Sequence, residues 1–159
     1  RHAERRAEVT RELQNAGFEV IRRSDFQPPA AQANKPHVFL VDSTGELRDW
    51  TAHADLVIIG KSFLSTGGQN PTEAILAHKP VICGPHMENF EPLASRLTDN
   101  QGCIRANTKT ELECAITRGL DPENAQTLTE NAAALLAAHH GAPRRTLSLF
   151  TENPPGQKE

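Results

Sequence analysis

A strand, a glycine-rich loop and a helix start follow one another without interruption in the middle of the chain, and this order constrains the fold most. The β-forming run Asp55–Ile59 leads into a loop that contains the adjacent glycines Gly67 and Gly68. Asn70 then suits the N-cap of a helix, with Pro71 at its first position. This order predicts a βα unit whose loop lies at the carboxyl end of the strand.

Two interpretations fit the glycine loop. Paired glycines let backbone approach a ligand closely, and N–H groups at a helix start favour an anion, so the loop suits a phosphate or a sugar nucleotide. Glu73 would then accept hydrogen bonds from a ribose diol. Alternatively, the glycines form an ordinary tight turn, and Asn70 and Glu73 cap their helix reciprocally.

Short apolar segments alternate with helical segments along the rest of the chain. Strands are expected at residues 18–21, 37–41, 55–59, 81–83 and near 103–104, and helices at 3–16, 46–53, 71–78, 89–98, 109–118 and 122–139. A loop is expected at residues 24–36. A short helix is expected at 143–150, followed by a disordered tail at 151–159. The alternation predicts an α/β, Rossmann-like fold with a largely parallel sheet flanked by helices.

A second candidate segment, Thr44-Gly45-Glu46, follows the expected strand at 37–41. Sheets of this class bind ligands beyond the carboxyl ends of their strands, so this segment and residues 62–73 are expected to converge on one edge. The structural alternative makes Ser43 or Thr44 an N-cap, with Glu46 favouring the helix start. The sequence leaves both interpretations open.

The loop after the strand at 81–83 contains His86 and Glu88, which either line the same cleft or cap the helix expected at residue 89. Cys83 and His86 have a spacing that suits a metal, but no second ligand pair lies near them in sequence, so no metal site is expected. Cys83 and Cys103 lie in apolar runs and are expected to pack as small hydrophobic residues. No serine, cysteine or carboxylate pair shows a catalytic arrangement.

Composition narrows the function further. The 159 residues suit one domain, and the net charge of −3 gives no reason to expect nucleic acid as a partner. The mean hydropathy of −0.52 indicates a soluble chain, and no apolar run reaches the roughly 20 residues that span a bilayer. The opening Arg1-His2-Ala3 lacks an initiating methionine and suggests a piece of a longer protein.

Taken together, these motifs resemble the C-terminal half of 3-deoxy-D-manno-octulosonate (Kdo) transferases, over about residues 1 to 150. The motifs that carry the resemblance are Arg1-His2-x-Glu4-Arg5, Asp42-Ser43-Thr44-Gly45-Glu46-Leu47, Ala54-Asp55, Gly60, Ser62, Gly67-Gly68-Gln69-Asn70-Pro71-x-Glu73, Lys79-Pro80-Val81, Gly84-Pro85-His86-Met87-Glu88-Asn89-Phe90 and Gly141-Ala142-Pro143-Arg144-Arg145-Thr146.

The resemblance implies a GT-B enzyme with two Rossmann-like domains. Such an enzyme transfers Kdo from CMP-Kdo to a lipid A precursor without a metal or another cofactor, at the cytoplasmic face of the bacterial inner membrane. Residues 1–150 would be the CMP-sugar-binding domain, without its first strands. The donor-binding residues that the resemblance implies are Arg1, Thr44, Gly45, Glu46, Ser62, Gly67, Gly68, Asn70, Pro71, Thr72 and Glu73.

The catalytic base of the family is a glutamate in the N-terminal domain, so this chain is expected to bind the donor without catalysing transfer. The acceptor would likewise be bound by that other domain. Lys61 stands where many members have glycine, and Gln69 where many have histidine. The alternatives are a GT-B enzyme or epimerase that uses a UDP-sugar, and a non-catalytic nucleotide-binding module.

Overall fold

The structure, a computed structural model, describes residues 5–25 and 37–137. Arg1, the helix expected at 143–150 and the tail at 151–159 lie outside these residues. The chain divides into two compact units, Arg1–Asp49 and Trp50–Glu159, each with its own parallel sheet.

The first unit is built on two parallel strands. Its elements are α1 (Arg6–Asn15), β1 (Glu19–Arg22), a 3₁₀ turn (Arg23–Asp25) and β2 (His37–Leu40). Glu19 pairs with His37 at the start of the ladder. Helix α1 ends where the sequence predicts, because Gly17 takes a left-handed φ of +88° that lets the N–H of Phe18 reach back to the carbonyl of Leu13 at 3.1 Å.

Helix α2 (Leu47–Ala52) spans the boundary between the units, and the second unit continues with the longer part of the fold. Its strands β3, β4 and β5 form a parallel sheet in the order β3-β4-β5. The elements after α2 are β3 (Val57–Ile59), α3 (Lys61–Leu64), α4 (Thr72–Leu76), β4 (Val81–Cys83), a 3₁₀ turn (Glu88–Phe90), α5 (Leu93–Asp99), β5 (Ile104–Arg105), α6 (Lys109–Leu120) and α7 (Pro122–Ala137).

The core of the second unit lies on both faces of its central strand, β4. Val81 and Cys83 belong to a cluster to which α4, α5 and α7 contribute, whereas Ile82 packs with residues of α6 on the other face. Successive side chains of a strand point to opposite faces, so covering both faces requires the uninterrupted apolar sequence found here. All three residues are buried.

The expected α/β class with parallel strands flanked by helices is confirmed, but three local predictions need correction. The helix expected at 89–98 begins at Leu93, because the ring of Pro92 keeps Glu91 extended (φ −75°, ψ 145°) and leaves only a 3₁₀ turn before it. Residues Lys61–Leu64 form the short helix α3, whereas the sequence predicts a loop there. The strand expected at 55–59 is shorter, since β3 begins at Val57. Within residues 5–25 and 37–137, none of the helices is long and apolar enough to cross a membrane.

Candidate functional site

Two loops of the second unit meet at the carboxyl ends of adjacent strands. We call residues 60–71, between β3 and α4, the glycine loop, and residues 84–90, after β4, the His86 loop. Strands β3 and β4 pair in parallel, which places the start of both loops on the same edge of the sheet. Hydrogen bonds of Ser62 and of Gly67 connect the two loops.

Ser62 provides the first of these connections. Its hydroxyl donates to the carbonyl of Ile59 at 2.5 Å and accepts from the N–H of Gly84 at 2.6 Å. Its own carbonyl accepts from the N–H of His86 at 3.0 Å. The side chain is fully buried, so Ser62 holds the two loops together and presents no polar atom at the surface.

The paired glycines are needed because the His86 loop packs directly on them. Gly67 and Gly68 have φ values of +94° and +60°, which residues other than glycine rarely adopt. A Cβ atom on Gly67 would lie 2.6 Å from the side-chain nitrogen of Asn89, and one on Gly68 would lie 2.7 Å from the carbonyl oxygen of His86. The close approach predicted for a ligand is therefore made by another loop of the same unit.

The carboxylate of Glu88 lies at the glycine loop, where the sequence suggests that an anionic ligand would bind. One carboxylate oxygen accepts from the N–H of Gly67 at 2.6 Å, and the other lies 3.1 Å from Nδ1 of His86. The bond from Gly67 is the main reason that the pKa of Glu88 falls to about 2, with further contributions from the Glu88 N–H and from His86. Glu88 therefore carries its charge throughout the physiological pH range.

The segment Asn70 to Glu73 contains the predicted cap. The side-chain oxygen of Asn70 accepts from the N–H of Thr72 at 3.0 Å, and Pro71 is buried with helical backbone angles. The carboxylate of Glu73 is exposed, and within the described part of the chain it makes no hydrogen bond. The reciprocal half of the proposed capping box is therefore not formed, and this carboxylate is available to a ligand.

The other candidate segment lies in the first unit. Both oxygens of Glu46 accept from Arg23, at 3.0 and 3.3 Å, while Thr44 and Gly45 are exposed in the bend after β2. Asp42 accepts from the N–H and the hydroxyl of Ser24, at 2.9 and 2.7 Å, and these bonds lower its pKa. These contacts join the segments that follow β1 and β2.

The predicted site residues thus fall into two groups. Ser62, Gly67, Gly68 and the segment 70–73 lie on the edge of the second unit's sheet, and Thr44 to Glu46 lie on the edge of the first unit's sheet. Sequence reasoning missed Arg23. Its signal is its position directly after a strand, at the same sheet edge as Asp42.

The cysteines show no metal site. Cys83 and Cys103 are buried as expected, and the thiol of Cys103 donates to Cys83 at 3.5 Å. This contact lowers the pKa of Cys83 to about 7 and raises the pKa of Cys103. His86 instead contacts Glu88, and no group of three potential metal ligands occurs among residues 5–25 and 37–137.

Comparison with known proteins identifies relatives along nearly the whole chain. A 3-deoxy-D-manno-octulosonic acid transferase from Bordetella pertussis is 40% identical over 155 residues, which are 96% of this chain and 35% of the relative. A Haemophilus influenzae protein of the same name is 33% identical over 152 residues, covering 94% of this chain and 35% of that protein. Over nearly all of its own length, the chain is therefore similar to Kdo transferases. It spans about a third of the length of these Kdo transferases.

A solved structure is also similar to this chain. The crystal structure of the C-terminal CMP-Kdo binding domain of WaaA from Acinetobacter baumannii matches with a TM-score of 0.76 and 28% identity. The match covers 86% of this chain and 70% of that domain. No family model matches the chain. The Kdo transferase resemblance read from the motifs is confirmed.

Proposed function

We propose that this chain is the donor-binding domain of a glycosyltransferase that transfers Kdo from CMP-Kdo to a lipid A precursor in lipopolysaccharide biosynthesis. The observation that carries the proposal is the similarity to the CMP-Kdo binding domain from A. baumannii. The 40% identity to a Kdo transferase over most of the chain supports it. Residues 1–150 would form this domain.

We assign to Glu73 the role of accepting hydrogen bonds from the ribose of the donor. Its carboxylate is exposed next to a helix start that Asn70 and Pro71 fix in place. A carboxylate accepts two hydrogen bonds from a diol, and such charged hydrogen bonds are stronger than neutral ones. Thr72 lies beside Glu73 and is half-buried, so its hydroxyl is a further candidate contact.

Four further residues support donor binding by setting the shape of the glycine loop. They are Ser62, Gly67, Gly68 and Pro71. All four are buried, and Ser62 and the two glycines fix the glycine loop against the His86 loop. We assign Thr44, Gly45 and Glu46 to a second donor-binding segment. Arg23 holds the Glu46 carboxylate in one orientation there. Arg1 would contact the phosphate or nucleotide region of the donor.

The reaction itself requires the rest of the protein. In our proposal the catalytic base is a glutamate of the N-terminal domain, and that domain also binds the lipid A precursor at the cytoplasmic face of the inner membrane. The isolated chain would therefore bind CMP weakly and transfer nothing. Sugar transfer by the purified 159-residue chain would overturn this division of labour.

The test is a titration of the 159-residue chain with CMP, UDP and inorganic phosphate, followed by amide NMR. We expect CMP to shift the amides of residues 44–46 and 70–73 selectively. An equal response to UDP would favour a UDP-sugar enzyme, and no response to any nucleotide would refute donor binding.

A charge-neutral variant tests the assigned contact. Glu73→Gln should weaken CMP binding about 10- to 100-fold, because hydrogen bonds to a charged group contribute about 1.5–3 kcal/mol. Glu113→Gln makes the same chemical change on the exposed surface of α6 and should leave the CMP affinity unchanged. Equal CMP affinities of the two variants would remove Glu73 from the site.

A further inference from the structure

The glycine loop holds an anion that belongs to the chain itself. The bond from the N–H of Gly67 to the carboxylate of Glu88, at 2.6 Å, is as short as a charge-assisted hydrogen bond. Gly67 is buried, whereas 54% of the Glu88 side chain is exposed. The carboxylate therefore covers an amide that would otherwise be the natural donor for a phosphate oxygen.

This carboxylate has a fixed position and a fixed charge. His86 holds its second oxygen at 3.1 Å, so both oxygens are engaged. The hydrogen bond from Gly67 is the largest of the contributions that lower the pKa of Glu88 to about 2, so the group stays ionised well below neutral pH. A ligand that approaches the glycine loop meets a negative charge there.

The other charged side chains of these segments do not offset the negative charge of Glu88. Lys61 and Glu73 are both exposed, and neither forms an ion pair with the residues that the structure describes. Along residues 60–73 and 84–90 these side chains and Glu88 supply two carboxylates and one ammonium group, and the imidazole of His86 contacts Glu88. A phosphate placed against the Gly67 amide would meet the Glu88 carboxylate, which lies within hydrogen-bond distance of that amide, and the two negative charges would repel each other.

We propose that Glu88 determines donor specificity by occupying the Gly67 amide in place of a phosphate group. The loop would then accept a nucleotide with a single phosphate and disfavour a nucleoside diphosphate. This inference rests on the proposed binding of a CMP-linked sugar, and it assigns a physical cause to the choice of a monophosphate donor.

The experiment measures the dissociation constants of CMP, CDP and pyrophosphate for the full 159-residue chain by calorimetry. Glu88→Gln keeps an oxygen that can accept from Gly67 but removes the charge, and Glu88→Ala frees the amide as well. We expect either variant to bind CDP and pyrophosphate about five- to tenfold more tightly, with little change for CMP. The matched control is Glu130→Gln, an exposed residue of α7 that contacts Gln126 and should change nothing.

The Gly67 amide resonance checks the geometry independently of any nucleotide. In the wild-type chain it should show the strong downfield shift of a short bond to a charged acceptor, and that shift should be reduced in Glu88→Gln. If the variants gain no affinity for CDP or pyrophosphate, the inference is overturned whatever CMP does. If the wild-type chain fails to bind CMP while the variants gain pyrophosphate affinity, the proposed function fails and the role of Glu88 stands.

Discussion

Replacing Ser62 by alanine tests whether the two loops are held together as described. The hydroxyl is the acceptor for the buried N–H of Gly84, at 2.6 Å, and the donor to the carbonyl of Ile59. Leaving a buried N–H without a partner costs about 1–3 kcal/mol, and losing the second bond adds about 0.5–1.5 kcal/mol. We therefore expect Ser62→Ala to lower the free energy of unfolding by about 2–4 kcal/mol.

Urea denaturation followed by circular dichroism measures this change, and Ser65→Ala is the matched control. Ser65 belongs to the same loop but is exposed, and its hydroxyl makes no hydrogen bond within the described residues, so we expect a change below about 0.5 kcal/mol. Amide exchange adds a local measurement, because the Gly84 N–H should lose protection in Ser62→Ala alone. Equal stabilities of the two variants, with Gly84 still protected, would refute the reasoning.

Two further predictions concern the glycine loop. Gly68→Ala should destabilise the second unit by about 2–4 kcal/mol, because its φ of +60° is left-handed and the new Cβ would lie 2.7 Å from a carbonyl oxygen. The matched control is Gly60→Ala, at an open site with helical backbone, which should leave stability unchanged or raise it by up to about 1 kcal/mol. Thermal unfolding of both variants measures the difference. The pKa of Glu88 is lowered from 4.5 to about 2, so its contribution to stability is present above pH 4.5 and is lost progressively as the pH falls from 4.5 to 2. The Gly67 amide shift should therefore stay constant from neutral pH down to about pH 4, and a titration midpoint near 4.5 would contradict the Gly67 contact.

The sequence predicted the regular elements well where local chemistry decides them. The apolar run at 81–83 is β4 at the predicted bounds, because a strand covered on both faces needs apolar residues throughout. Gly17 ends α1, and Asn70 caps the start of α4, through contacts that span only a few residues. The helix predicted at 89–98 is present as α5, but it begins later than predicted because Pro92 keeps Glu91 extended.

The sequence indicated the glycine loop but not the contacts that the loop makes. The pattern around Gly67 and Gly68 indicated a close approach to the backbone, yet it did not show that the approaching group is the His86 loop. Nor did it show that Ser62 is buried or that Glu88 covers the Gly67 amide. These partners lie about 21 residues apart in sequence, and no local spacing rule connects them.

The sequence by itself therefore determined the α/β class, the position of the glycine loop at the end of a strand, and the resemblance to Kdo transferases. Strand periodicity, helix caps and glycine placement are local properties, and the family motifs are runs of residues that can be read directly. Only the tertiary structure decided which polar groups remain available to a ligand. The parallel pairing of β3 and β4 brings the loops after them side by side, so that the Glu88 carboxylate is engaged by Gly67 while the Glu73 carboxylate stays exposed.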